Sequence, residues 1–217
     1  MPTVGFKLPP KVNILKTIVF RAKYVTNNTT FRNLFGILLY KGVKVESEQS
    51  SRIVLNDGRL EIGVSWTKSH PFLSFLKLGE KAKIIVNGSF RVFERSVIFI
   101  NKGAVLELGT NSYINSNATI HCFKHIKIGD NTIISEGLTI RDSDNHSITG
   151  SEAPIADGIE IGNNVWIGMN VTILKGVKIG NGSVIAAGAV VNKSIPENSL
   201  AGGLPAKVIK SGVEWNR

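Results

Sequence analysis

Residues 155–191 read IADGIEIGNNVWIGMNVTILKGVKIGNGSVIAAGAVV, and within them Ile155, Ile161, Ile167, Ile173, Ile179, Ile185 and Val191 recur every six residues. At about 100° per residue a six-residue step on an α-helix turns about 240° and scatters these side chains over three faces, whereas an even step along a strand keeps them on one face. The stretch is predicted as β. Gly162, Gly168 and Gly180 follow aliphatic positions, and Gly176 and Gly182 stand near the corners; turning after a short strand needs either a positive φ or a close approach of backbones. Short strands with repeated corners describe a solenoid.

The spacing extends upstream in shorter runs: Leu78, Ile84 and Phe90; Leu108, Ile114 and Ile120; Ile128, Ile134 and Ile140. Its breaks are informative. Ile120 to Ile128 is eight residues, two more than a repeat, and Ile140 to Ile155 is fifteen, two repeats plus three. A break forfeits stacking, so each is read as a bulge or loop serving function or as a surface insertion, the larger one as an excursion over 141–154.

Composition agrees with strands and turns: 26 Ile and 20 Val stand against 22 Gly, and aromatics are only 7%. Residues 1–50 lack the repeat and are predicted as a cap, with Pro9–Pro10, a basic amphipathic helix around Val12–Tyr24 and a polar turn at Asn27–Thr30. The expected division is a basic cap over 1–50, a solenoid over 51–212 and a tail over 213–217, with Pro196–Arg217 closing the far end against exposed strand edges.

Charge is uneven. The net +10 arises mostly in residues 1–45, which carry eight Lys or Arg and no acid, whereas residues 46–217 hold 18 basic and 16 acidic side chains. Such an arm, residues 1–45, suits peripheral contact with the lipid phosphates of an anionic inner membrane face or an anionic sugar polymer, or is simply a solvated segment; a nucleic-acid binder is disfavoured because basic and aromatic residues do not alternate along a strand face. No apolar run is long enough to cross a bilayer. The lone Cys122 argues against a disulfide framework or a multi-cysteine zinc site, and no signal-peptide pattern is legible, so a cytoplasmic location is expected.

Ile161–Gly168 (IGNNVWIG), Lys175–Val191 (KGVKIGNGSVIAAGAVV) and Ala201–Lys210 (AGGLPAKVIK) together resemble the hexapeptide-repeat acyltransferase superfamily, and in particular O-acetyltransferases of the maltose and galactoside type and their relatives in bacterial polysaccharide pathways. The resemblance is strong over about 108–212, weaker over 50–107 and absent before that. It implies an all-β fold, a left-handed parallel β-helix, a homotrimer, acetyl-CoA as donor, a sugar or oligosaccharide acceptor and active sites between subunits. The histidine loop reads DSDNHSI instead of the paired-histidine form, and Met169 replaces the usual small residue after WIG.

Acetyl transfer from a thioester to a hydroxyl needs a base with pKa near 7, which imidazole supplies. His146 lies in the excursion and matches the loop histidine that the resemblance marks as the base. Asp142 and Asp144 are candidates for orienting it or binding acceptor hydroxyls, with turn formation as the alternative. Asn117 matches the family's acceptor-orienting asparagine, with an inward asparagine ladder at a solenoid corner as the structural alternative. For the donor, the matching positions are Trp166, Gly168, Met169, Ala187, Asn192 and Lys193, with Lys207 and Lys210 suited to phosphates; an amide near Gly168 would polarise the thioester oxygen, and Trp166 equally fits a subunit interface.

Other classes remain for the structure to weigh. His121, His125 and His146 invite a zinc site of the γ-carbonic-anhydrase kind, although in one strand His121 and His125 would stand about 13 Å apart at roughly 3.3 Å per residue; no metal is expected. N-acetylation of an amino-sugar nucleotide is the nearest enzymatic alternative. A scaffold or ice-binding solenoid would show a repeated Thr face, and Thr119, Thr132, Thr139 and Thr172 are not at coil spacing.

Overall fold

The computed structural model describes residues 9, 11–26, 36–67, 72–147 and 149–216; the Asn27–Thr30 turn and Pro10 lie outside them. Among the described residues short strands, parallel except for the last, stack into three sheets of seven, nine and seven strands, and the chain visits them in rotation, one strand per sheet per coil. The first sheet ends on His125–Ile128, Ile159–Ile161 and Lys178–Ile179, the second runs through Ser112–Ile114, Ile133–Ile134, Trp166–Ile167 and Val184–Ile185, and the third through Thr119–Cys122, Thr139–Arg141, Thr172–Leu174 and Val190–Val191.

The six-residue spacing is the length of one side and one corner. Ile161, Ile167, Ile173, Ile179, Ile185 and Val191 all point inward and are at most 2% exposed. Equivalent residues stack vertically, as in Ile128↔Ile161↔Ile179 and Ile134↔Ile167↔Ile185. Each such side chain contributes roughly 1.5–3 kcal/mol by leaving water, before ordering entropy is subtracted. Lower coils are wider: Leu76, Ile98 and Ile120, stacked in the third sheet, are 22 residues apart. Because coils differ in length, Thr119, Thr139 and Thr172 stack on that sheet as well, which corrects the expectation that they lie off coil spacing.

Ile155 departs from the expectation. It is 47% exposed, and the first-sheet strand resumes only at Ile159, which pairs with Ile126. Its six-residue spacing from Ile161 is coincidental, and the excursion occupies 142–158, between the strands Thr139–Arg141 and Ile159–Ile161.

The glycines divide between the two expected roles. At Gly168 a Cβ would lie 2.6 Å from the Ala187 backbone nitrogen, so the residue permits close stacking of coils, whereas Gly182 takes φ 69° at a corner.

Helix α1 (Ile14–Tyr24) is capped by Asn13, whose side chain accepts from Lys16 N–H at 3.1 Å. It packs Thr17, Phe20 and Tyr24 inward. Parallel pairing begins ahead of residue 51, because Ile37–Leu39 and Val43–Ser47 already join the second and third sheets. Leu39 and Val43 are buried but four residues apart, which hides this coil from a search at period six. At the other end Ser199–Gly203 and Ala206–Ser211 form an antiparallel hairpin on the second sheet. Among the described residues no helix is long and apolar enough to cross a membrane.

Candidate active site

Both sequence breaks fall at one corner, between the third and first sheets. Between Thr119–Cys122 and His125–Ile128 the chain turns through Phe123 and Lys124 alone, which aims three consecutive amides at one point. Asp142, from the next coil, occupies that point. Its carboxylate is fully buried and accepts from Phe123 N–H (2.6 Å), Lys124 N–H (2.8 Å) and His125 N–H (2.8 Å). A buried carboxylate is tolerated when charge-assisted bonds replace its water. Asp142 is therefore a structural clamp, and its oxygens are not available to an acceptor or to an imidazole, which corrects that expectation.

From this clamp the excursion leaves as a narrow hairpin. Asp157 N–H donates to the Asp142 carbonyl and Asp144 N–H to the Ile155 carbonyl, both at 2.9 Å, with a Ser143↔Ala156 antiparallel bridge between. Lys175, one coil further on and largely covered, donates to the Pro154 carbonyl at 2.5 Å and meets Asp144 Oδ2 at 2.6 Å. It ties both legs of the hairpin to the solenoid. Asp157 is anchored by Lys124 at 3.1 Å, and that bond holds its carboxyl below the ordinary value. Asn145 follows in a left-handed conformation (φ 62°), with its N–H on Ser143 Oγ at 3.0 Å. His146 comes next, exposed to solvent. Neither expected aspartate orients it: Asp142 is buried in its clamp, and Asp144 is paired with Lys175.

Only part of the expected donor set, Gly168, Met169 and Ala187 beside Trp166, gathers at another corner. Trp166 is exposed on the second sheet, with the Trp215 ring 6.0 Å away and Trp215 Nε1 donating to the Asn164 carbonyl at 2.8 Å. Gly168, Met169 and Ala187 turn from the second sheet into the third, and the Met169 side chain is exposed. Gly168 N–H is committed to the Ile185 carbonyl at 2.8 Å, so an amide polarising a thioester must be a neighbour's. Asn117 shares this corner in lower coils, with φ 62° and its N–H on the Glu94 carbonyl at 3.2 Å. Asn192 and Lys193 are exposed at the corner that bears the hairpin, and Lys207 and Lys210 on the closing strand. In one chain, then, His146 and Met169 issue from opposite edges of the third sheet.

Sequence reasoning missed Lys175 and a network beside Asn117. Trp66 stacks on Phe93 with centroids 4.5 Å apart and donates from Nε1 to Asn115 Oδ1 at 2.8 Å, while Asn115 Nδ2 donates to Glu136 Oε1 at 2.8 Å. Trp66 and Asn115 are 49 residues apart in the chain, and no local pattern joins them. A groove of about 610 Å³ lies elsewhere, on the first sheet among Lys127, Glu160, Lys178 and Asn181, and none of the expected site residues lines it.

The three histidines do not converge. A corner separates His121, on the third sheet, from His125, on the first, where the sequence had suggested one strand. His121 stacks on Phe99 with centroids 5.0 Å apart, and His125 Nε2 contacts Glu107 at 3.1 Å. Among the described residues no three His, Cys, Asp or Glu stand together as a metal site.

Residues 158–193 match the family described as bacterial transferase hexapeptide (six repeats). An uncharacterised 24.8 kDa protein in the cps region of Klebsiella pneumoniae is 32% identical over 96% of this chain and 97% of its own length. The chain belongs to the hexapeptide-repeat acyltransferase superfamily. The three-sheeted solenoid is thus the left-handed parallel β-helix of that superfamily. The galactoside O-acetyltransferase of Escherichia coli (strain K12) is 39% identical over 52% of this chain and 57% of its own length. This chain spans about half the length of the first curated relatives it matches. Among superfamily structures, the polySia specific acetyltransferase NeuO superposes with a TM-score of 0.54 at 25% identity, over 81% of this chain and 89% of that one.

Proposed function

We propose that the protein is an acetyl-CoA-dependent O-acetyltransferase acting on a sugar hydroxyl in bacterial capsule, exopolysaccharide or lipopolysaccharide synthesis, with His146 as general base. The observation that carries this reading is the hairpin over 142–157: a histidine at an exposed bend, on a loop clamped at its root by Asp142 and along its legs by Lys175. A base must be accessible yet held in place, since misplacement of about 1 Å can cost about 100-fold in rate. Support for the class comes from the galactoside and polySia acetyltransferases, and for the pathway from the full-length relative in a cps region.

In this mechanism imidazole takes the proton of the acceptor hydroxyl as its oxygen attacks the thioester carbonyl. The tetrahedral intermediate collapses with cleavage of the C–S bond, and the imidazolium returns the proton to the CoA sulfur. Trp166, Met169 and Ala187 line the donor groove, Asn192, Lys193, Lys207 and Lys210 meet its polar and phosphate groups, and Asn117 and Asp144 face the acceptor. His146 and the donor corner stand at opposite edges of one sheet, so the complete site joins two subunits of a homotrimer.

Titration calorimetry with acetyl-CoA, followed by assay of CoA release over a panel of sugars and oligosaccharides, tests the class. His146→Ala is expected to lower turnover by about 10²–10⁴ with acetyl-CoA affinity unchanged. Lack of affinity at millimolar acetyl-CoA overturns the reading, and equal turnover in the variant removes His146 from its role.

A further inference from the structure

The outer surface of α1 has a composition that neither the solenoid nor acetyl transfer requires. Ile14, Leu15, Ile18 and Val19 are 44–75% exposed. On a helical projection at roughly 100° per residue they fall, with exposed Ala22, in one arc of roughly 140°, while Thr17, Phe20 and Tyr24 fill the opposite arc that packs on the sheets. The boundaries between the two arcs are basic: Lys16 and Lys23 stand on one side and Arg21 on the other. The Lys16 ammonium is held at the edge of the helix, donating to the Val43 carbonyl at 2.6 Å. Lys11, Lys41 and Lys44 extend the positive rim, Lys41 being joined to Lys11 by a backbone hydrogen bond of 2.8 Å. Residues 1–45 contain no acid.

An apolar stripe bordered by cations on both sides matches the interface of an anionic bilayer. The aliphatic side chains enter the acyl boundary while Lys and Arg stems extend toward lipid phosphates. A second copy of this chain is a poor occupant, because pairing two such helices would set their basic borders against each other. We infer that α1 is an interfacial helix that seats the protein on an anionic lipid surface by inserting Ile14, Leu15, Ile18 and Val19. Charge draws the protein to the membrane and apolar insertion retains it. This seat does not depend on the transferase reading, and its test reads binding alone.

The probe is the full chain with vesicles of phosphatidylglycerol and phosphatidylcholine in equal parts, against phosphatidylcholine alone. Co-sedimentation is followed at about 50 mM and about 500 mM salt, which moves the screening length from outside to inside the reach of surface charges. Wild type is expected to pellet with the anionic vesicles and to lose most of that binding at high salt. The double variant Leu15→Ser, Val19→Ser alters no charge and touches only the exposed arc. It is expected to bind the anionic vesicles at least tenfold more weakly at low salt, with thermal midpoint and light-scattering mass unchanged. Equal binding of variant and wild type overturns insertion. No binding to anionic vesicles at low salt, or equal pelleting with both lipids, overturns the membrane seat. A smaller mass for the variant would show the face to be a contact between copies, which also overturns it.

Discussion

The ammonium of Lys175 lies 2.6 Å from Asp144 Oδ2 while donating at 2.5 Å to the Pro154 carbonyl, so one largely covered side chain holds both legs of the hairpin that presents His146. The covalent neighbours of Lys175 belong to the next coil, so the pair couples the loop to the solenoid. Lys175→Met keeps the aliphatic stem and deletes both contacts. Acetyl transfer is expected to fall about 10–100-fold as the base loses its position, with the thermal midpoint nearly unchanged and faster amide exchange over 144–155. An unchanged rate would show that the hairpin holds its place without Lys175.

Asp142 governs stability instead. Asp142→Ala leaves three amides at the Phe123–His125 turn without their acceptor, and the expected loss is about 3 kcal/mol. Asp142→Asn keeps one acceptor oxygen and loses less. Thermal melts of the two variants, ranked Ala below Asn below wild type, check this; equal midpoints for all three would mean that the turn finds other partners.

At the donor corner, Gly168 and Gly188 separate two costs of a methyl group. Gly168→Ala sets a Cβ against the Ala187 nitrogen and Ile185 carbonyl at 2.6 and 2.9 Å, whereas a Cβ at Gly188 meets open space but carries φ 72°. Gly168→Ala is expected to cost about 2–3 kcal/mol and to weaken acetyl-CoA binding by pushing coils apart. Gly188→Ala should cost only about 1–2 kcal/mol. Calorimetry of both variants tests the order.

Burial, aided by the nearby Arg141 charge, holds the His121 imidazole below its ordinary pKa of 6.5. The folded chain therefore keeps His121 neutral to a lower pH than the unfolded chain does. Its contribution to stability is intact above about pH 6.5 and is lost as pH falls below that value and the unfolded state binds the extra proton. His121→Gln should flatten the decline in thermal midpoint between about pH 7 and 5. Parallel curves for variant and wild type would contradict this.

Cys122 is buried in the third sheet, and burial together with the Asp142 charge pushes its thiol well up. A thiol reagent at neutral pH is expected to label it only upon unfolding, because the thiolate is the reactive form. Labelling of the native protein at the rate of free cysteine would mean that this coil opens readily.

The six-residue period by itself determined that residues 161–191 form a β-solenoid, since only inward aliphatic side chains at each side and glycines at close approaches satisfy that pattern. It also placed both irregularities. Period alone could not tell Ile155, on a hairpin, from Ile161, in the core, because spacing along the chain carries no information on which strand a segment stacks upon. The first coil, with Leu39 and Val43 four apart, was hidden for the same reason. Tertiary structure alone decided that Asp142 clamps a turn 17–19 residues earlier in the chain, that Lys175 meets Asp144 across a coil boundary, and that His121 and His125 face different sheets. These are contacts between successive coils of unequal length. Their partners are fixed by strand register, which arises only when the whole stack forms.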